Sequence, residues 1–325
     1  MTRLRVTAIA VFIALACGLA WLVALPLWSG DGLAEPLAGV ILPVMMFTPA
    51  IAALVVTLLM RVPARGERLR FLGLWPLRPA RRVIWLTVLG WLAPPVLVAL
   101  GVLVAAALEF VRLDLTFAAF SDTVAGALPE GTPMPPVGLL VISQIALIPF
   151  AALLNGVLAF GEELGWRGWL VPALRPLGTW PTLLLSGAIW GLWHSPIILL
   201  GYNFGRTDVT GVLFMVGGCV AWGVLFGWLR LRSASIWPAV LAHGSLNAAA
   251  GLVLLVAASQ PDLALAGPLG VAAWIVAAVV IGILALTGQF RRQPELADAP
   301  GRLLSAPRAS RETGATGDPQ RPSTP

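Results

Sequence analysis

Ionisable side chains occur inside three strongly apolar stretches of the sequence. The pair Glu162-Glu163 ends one stretch, with Arg167 close behind, and the chain's two histidines, His194 and His243, lie in the other two. A charged side chain in hydrocarbon costs at least about 2.5–3.5 kcal/mol, so ionisable residues there face a bundle interior, pair with one another or do chemistry. The three clusters predict one buried site.

The carboxylate cluster has helical spacing. On a helix, Glu163 and Arg167 lie four residues apart on one face, with the acid first, which is the better order for an ion pair. Glu162 points about 100° away from Glu163 at 3.6 residues per turn. One glutamate can therefore be held by the arginine while the other faces elsewhere. The alternative is an ordinary helix end at the membrane interface, where charged side chains reach water.

Each histidine has a partner four residues away on its own helix face. Trp190 precedes His194, and Asn247 follows His243. Pro196 deprives one carbonyl of its helical donor, which predicts a kink beside His194. Taken singly, each histidine is explained as well by a hydrogen bond that joins two helices of the core.

Together, a carboxylate, two imidazoles and an amide are the groups needed to hydrolyse an amide without a covalent intermediate. A glutamate and a histidine can activate water, and a histidine and an asparagine can hydrogen-bond the oxyanion. The set Glu162, His194 and His243 could instead bind zinc and leave a position open for water. Spacing alone does not choose between the two.

The composition predicts that these clusters lie in a membrane. The chain is 58% hydrophobic and 11% charged, whereas a soluble chain carries about 25% charged residues. Apolar runs of membrane-span length recur without barrel alternation, which predicts an all-α, polytopic transmembrane helix bundle. Eight spans are expected, at about residues 6–28, 37–60, 83–108, 137–160, 181–201, 210–229, 236–257 and 267–287. The fourth has an alternative: a short interfacial piece before a span that carries the glutamates.

The arginines predict how the bundle is oriented. All 21 basic residues are arginines. They concentrate in the N-terminus, in alternate loops and in the tail: Arg3 and Arg5, then residues 61–82, then Arg167 and Arg175, then Arg230 and Arg232, then Arg291 and Arg292. The other loops are acidic or nearly neutral and include Glu130. The positive-inside rule places both termini in the cytoplasm. The net charge of +6 thus reflects topology, and no nucleic-acid partner is expected.

Residues 1–289 are predicted to form the bundle, and residues 290–325, rich in Pro, Arg, Ser, Thr and Gly, a disordered cytoplasmic tail. Cys17 and Cys219 both lie in apolar spans, so no disulfide framework is expected. No convincing internal repeat is present, which weakens a transporter interpretation.

The motifs resemble those of a known family. Glu-Glu-x-x-x-Arg at Glu162, Glu163 and Arg167 is similar to the first motif of the CPBP family, the CAAX-protease and bacteriocin-processing or Abi intramembrane proteases. The second motif of that family is Phe-x-x-x-His, and Trp190 to His194 matches it with Trp in place of Phe. The third motif, His-x-x-x-Asn, matches His243 to Asn247. The resemblance covers about residues 137–257.

The resemblance implies an eight-helix intramembrane endopeptidase similar to the Ras-converting CAAX prenyl endopeptidase. It implies that Glu162 and His194 activate water, and that His243 and Asn247 form the oxyanion site. Glu163 and Arg167 would be structural, and Trp190 would line the pocket. No cofactor is expected, with zinc on Glu162, His194 and His243 as the alternative.

The implied partners are the lipid bilayer and a peptide or membrane-protein substrate, whose identity and prenylation stay open. All-Arg basic usage and high Ala content suggest a GC-rich bacterial genome, which makes a prenylated substrate less expected. The expected location is a cell membrane, the bacterial inner membrane. A His-Glu-x-x-His zinc motif, a Gly-x-Gly-Asp motif and a rhomboid-type serine context are absent. The competing hypothesis is a non-catalytic membrane protein of the bacteriocin-immunity or scaffold type.

Overall fold

A computed structural model of the chain describes residues 3–129, 131–291 and 293. Glu130, Arg292 and almost all of the predicted tail lie outside these described residues, so the prediction of a disordered tail is not addressed. The helices run in chain order as α1 Arg3–Ser29, α2 Ala38–Met45, α3 Thr48–Leu58, α4 Arg68–Phe71, α5 Ala80–Ala107, α6 Ala118–Ala127, α7 Val137–Glu163, α8 Val171–Leu174, α9 Thr179–Trp193, α10 Ser195–Ile198, α11 Val209–Ser233, α12 Trp237–Ala249, α13 Leu252–Val256, α14 Leu263–Ala266 and α15 Val271–Leu286.

The fold is an all-α polytopic bundle. In the described part of the chain, seven helical stretches are long and apolar enough to cross a membrane. They are Arg5–Ser29, Ala38–Leu58, Ala80–Ala107, Val137–Leu177, Val209–Ser233, Trp237–Val256 and Leu263–Leu286. These correspond to seven of the eight predicted spans. The span predicted at 181–201 forms α9 and α10, each shorter than a crossing requires by itself. The count of eight and the cytoplasmic termini remain predictions.

The fourth span is one helical stretch of 41 residues, Val137–Leu177. α7 runs without a break from Val137 through Glu163, so any interfacial piece is continuous with the span, and its position in the membrane stays a prediction. A π-helical segment, Leu164–Leu170, joins α7 to α8. This segment keeps the backbone hydrogen-bonded while widening the helix directly after the two glutamates.

Glycines bring the site-bearing helices close together. α12 packs against α7 and α5, and α9 packs against α11. A Cβ on Gly244 would lie 2.5 Å from the carbonyl oxygen of Ala152, and one on Gly191 would lie 2.5 Å from the Cα of Val216. Only residues without a side chain permit these two contacts. On the outer surface of α7, Leu154 and other large apolar side chains are exposed, as expected where a helix faces lipid.

Candidate active site

Glu162 lies at the end of α7 and is buried, at 2% exposure. The indole Nε1–H of Trp190, on α9, donates a hydrogen bond to Glu162 Oε2 at 2.6 Å. A buried carboxylate needs such partners because water no longer solvates it. The tryptophan that departs from the family motif thus does more than line the pocket: it holds one oxygen of this carboxylate.

Glu163 faces another direction and is fully buried. Its Oε1 accepts a hydrogen bond from Arg167 at 2.7 Å, so the predicted ion pair is present. The same oxygen lies 3.0 Å from Nδ1 of His243. The sequence assigned Glu163 to Arg167 alone, because helix spacing reports partners on the same helix and not those on α12.

The π-helical segment places Arg167 beneath two aromatic rings. Its guanidinium lies 4.4 Å from the ring centroid of Trp190 and 5.2 Å from that of Phe226. Both contacts are cation–π interactions in a buried setting, where such contacts are strongest. Arg167 is therefore fixed by Glu163 and by two rings, and it places a positive charge beside both glutamates.

His194 lies at the break between α9 and α10. Its backbone N–H bonds to the carbonyl of Gly191, one residue short of the α-helical pattern, so the carbonyl of Trp190 accepts from the His194 ring instead. This predicted break of the helix beside Pro196 determines which nitrogen of the His194 ring carries the proton. Since a carbonyl can only accept, Nδ1 carries the proton at this 2.9 Å contact, and Nε2 of the neutral ring holds a lone pair.

His243 lies on α12 and is buried between aromatic rings. The ring centroid of Trp190 is 5.2 Å away in an edge-on arrangement, and that of Phe226 is 5.7 Å away in a stacked one. With Nδ1 on the carboxylate of Glu163, Nε2 is the nitrogen left for other partners. Asn247 follows one turn later and is partly buried.

A cavity of about 440 Å³ brings these groups together. Glu162, His194, His243 and Asn247 all line it, as does Trp190. Glu163 and Arg167 are not among its lining residues and lie behind it. The remaining wall is mainly apolar and includes Leu42, Met45, Met46, Leu158, Ile197, Met215 and Leu246.

Sequence inspection missed two kinds of residue at this site. Phe226 stacks on His243 and covers Arg167, but an aromatic residue in an apolar helix carries no signal of its own. Asn155 lines the cavity two turns before Glu162, and an amide in an apolar run was a signal that could have been followed. Its side chain bonds to the carbonyl of Ala151 within the same helix.

Zinc on Glu162, His194 and His243 stays an alternative prediction. Within residues 3–129, 131–291 and 293, no group of three or more His, Cys, Asp and Glu side chains is arranged to hold a metal ion. Glu162 and His194 each bond to Trp190 through one atom, Oε2 and Nδ1 respectively, which leaves the second carboxylate oxygen and Nε2 for another partner.

The fold and the site together define a polytopic membrane protein with a buried glutamate–histidine centre. A family model described as Type II CAAX prenyl endopeptidase Rce1-like matches residues 142–249. The match covers roughly a third of the chain and includes all three motifs. The predicted resemblance to the CAAX-protease family is thereby confirmed for residues 142–249, the part of the chain that is similar to the Rce1-like model. No curated protein matches the chain.

Proposed function

We propose that the protein is an intramembrane endopeptidase that cleaves a peptide bond of a membrane-associated or CAAX-like substrate. One observation carries the proposal. Four groups suited to amide hydrolysis, from three helices of the Rce1-like domain, line one mainly apolar cavity. Polar groups that converge in an apolar cleft are the usual form of a small active site.

Glu162 and His194 are the groups that activate water. Trp190 contacts both: its indole N–H bonds to one oxygen of Glu162, and its carbonyl accepts from Nδ1 of His194. The second carboxylate oxygen and Nε2 of His194 then remain to bind water. A positioned base of this kind contributes about 10²- to 10⁴-fold to the rate.

His243 and Asn247 bind the oxyanion. Since Nδ1 of His243 bonds to Glu163, Nε2 can donate only in the imidazolium form. That form also balances charge, because two carboxylates face one guanidinium in this buried cluster. A buried cluster with no net charge avoids much of the cost of desolvation. Glu163 acts here as a positioning residue for His243.

The reaction then proceeds without a covalent enzyme intermediate and with no required metal. Water forms a bond to the carbonyl carbon and loses a proton to Glu162, while the carbonyl π electrons move to the oxygen. The oxyanion accepts hydrogen bonds from His243 and Asn247. Collapse breaks the C–N bond, and the leaving nitrogen takes the proton from Glu162. The products are a carboxylic acid and an amine.

Purified protein and a degenerate mixture of soluble peptides, analysed by mass spectrometry, test this proposal. Glu162→Gln should reduce cleavage about 10²- to 10⁴-fold, since an amide is a poor base. Ser195→Ala is the matched control and should stay active, because no serine nucleophile is used. Cleavage that survives Glu162→Gln would contradict the mechanism. Stoichiometric zinc whose removal abolishes activity, with recovery on zinc addition, would contradict its metal-free form. Failure of the wild type to cleave any peptide would favour the non-catalytic alternative.

A further inference from the structure

We infer that the cavity admits its substrate from the arginine-poor face of the bundle, and that the protein cleaves apolar extracytoplasmic segments of other proteins. The inference rests on the proposed protease function and names its substrate class.

On α9 and α11 the cavity lies close to the arginine-poor ends, whereas His243 on α12 lies six residues, about 9 Å, from Trp237 at the arginine-rich end. His194 is fifteen residues, about 22 Å, from the start of α9 beside the arginine-rich connection, but only four residues, about 6 Å, from the end of α10. On α11, Met215 lies about 9 Å from the arginine-poor end and about 27 Å from Ser233. On α9 and α11 the distance to the helix end is therefore shorter on the arginine-poor side.

The two lining residues that are exposed rather than partly buried lie on that side, whereas Met46, Asn155 and Leu158 are partly exposed at mid-bundle positions. Gly39, at the start of α2, and Ala250, at the end of α12, are exposed, and both line the cavity. Tyr202 and Asn203, between α10 and α11, and Leu269, before α15, are partly exposed members of the same wall. No lining residue in the described chain comes from the arginine-rich connections at 59–79, 164–178 or 230–236.

The opposite side is closed by buried side chains. Trp166, Trp169 and Leu170 follow Glu162 along the helix toward the arginine-rich face, and each is fully buried. The indole of Trp169 donates to the carbonyl of Val62 at 2.9 Å, which holds the arginine-rich connection against the bundle. A peptide approaching from this face would have to displace these groups.

The wall determines which peptides can enter. Apart from Glu162, His194 and His243, the lining residues identified in the described chain carry no charge. A charged substrate side chain would lose its hydration in this cleft without gaining a partner. The residues around the scissile bond should therefore be apolar. By the positive-inside rule the open face is extracytoplasmic, which favours exported proteins and extracytoplasmic segments of membrane proteins over cytoplasmic CAAX tails.

Cysteine labelling tests the access side without requiring activity. Cys17 and Cys219 are replaced by Ala, and Ala250→Cys, at the cavity mouth, is compared with Leu69→Cys, an exposed position on α4. A membrane-impermeant maleimide should label Ala250→Cys in intact spheroplasts and Leu69→Cys only in inverted vesicles. Labelling of Ala250→Cys only in inverted vesicles would overturn the inference.

Sealed vesicles test the substrate side. The impermeant peptide mixture is given to right-side-out vesicles, inverted vesicles and detergent-solubilised protein, with Glu162→Gln as background. Cleavage should be at least about tenfold faster in right-side-out vesicles than in inverted ones, with apolar residues beside the cut sites. Activity in detergent together with cleavage only in inverted vesicles would overturn the inference and leave the protease function intact. No activity in detergent would instead count against the protease function, while labelling still decides the access side.

Discussion

The two ends of the bundle use their polar groups differently. At the arginine-rich end, Arg230 is buried, and its Nε donates to the carbonyl of Arg167 at 3.0 Å and its terminal nitrogen to that of Phe71 at 2.7 Å. At the cavity end, His194 and His243 each engage Nδ1 and leave Nε2 for another partner. Buried donors that bond to backbone stabilise a fold, whereas a ring nitrogen directed to a cavity is available for chemistry.

Arg167 connects the two ends and should give the largest effect on stability. Its side chain bonds to Glu163 behind the cavity, and its carbonyl accepts from Arg230. Arg167→Met removes the guanidinium from a buried carboxylate, which should cost roughly 3–5 kcal/mol. Thermal unfolding in detergent measures this change. The double variant Arg167→Met/Glu163→Gln should be more stable than Arg167→Met alone, and a further loss would show that the pair is not what stabilises this region.

Arg230→Met should give the next effect. It removes two hydrogen bonds from a buried guanidinium to backbone carbonyls but leaves no buried charge unpaired, and Met retains part of the buried stem, so the loss should be smaller than for Arg167→Met. The protein should unfold at lower temperature, while turnover per folded molecule is retained because Arg230 does not line the cavity. Arg81→Leu, at an exposed position on the same face, is the control. An Arg230→Met variant that is stable but inactive would show that polar groups at the arginine-rich end also serve the reaction, and not only the stability of the fold.

Asp208 lies at the arginine-poor end of the bundle, and its contribution to the stability of the fold should depend on pH. It caps α11 by accepting from the backbone N–H of Thr210 at 2.9 Å. The side-chain and backbone hydrogen bonds of Thr210 lower the pKa of Asp208. Since the pKa is lower in the folded state, the stabilisation is complete above about pH 4 and disappears as the pH falls through the lowered pKa.

Asp208→Ala should therefore lower the melting temperature at pH 7 by less than Arg230→Met does. The difference between wild type and Asp208→Ala should shrink below about pH 4. A difference that stays constant from pH 7 to pH 3 would mean that the carboxylate charge is not what caps the helix.

The smallest effect is expected for the ion pair of Arg206 and Asp262, 2.8 Å apart at the arginine-poor end. Their side chains are 37% and 39% exposed, so the pair should contribute only roughly 0.2–1 kcal/mol. A double-mutant cycle with Arg206→Ala and Asp262→Ala measures the coupling, which high salt should reduce further. A coupling energy as large as that of Arg167 with Glu163 would contradict the small contribution expected for an exposed ion pair.

Helix type and approximate position followed from the sequence because apolar runs of membrane length have few alternatives. Seven predicted spans correspond to crossing-length helices. The remaining one, predicted at 181–201, is divided at His194, two residues before Pro196. That the apolar run before Glu162 forms one continuous helix did not follow from the sequence. Apolar continuity cannot distinguish one long tilted or protruding helix from two shorter ones, since both satisfy the same hydropathy pattern.

By itself the sequence determined which residues are costly in a membrane and which of them share a helix face. The pairing of Glu163 with Arg167, the different directions of the two glutamates and the family resemblance all follow from spacings of one to five residues. Such spacings are fixed by helix geometry.

Only the tertiary structure decided the partners across helices. The bond of Trp190 to Glu162, that of Glu163 to His243 and the ring of Phe226 over His243 all depend on how α7, α9, α11 and α12 pack. The open side of the cavity depends on that packing as well. Helix–helix register in a membrane is set by close contacts between surfaces far apart in sequence, and no periodicity along one helix encodes it.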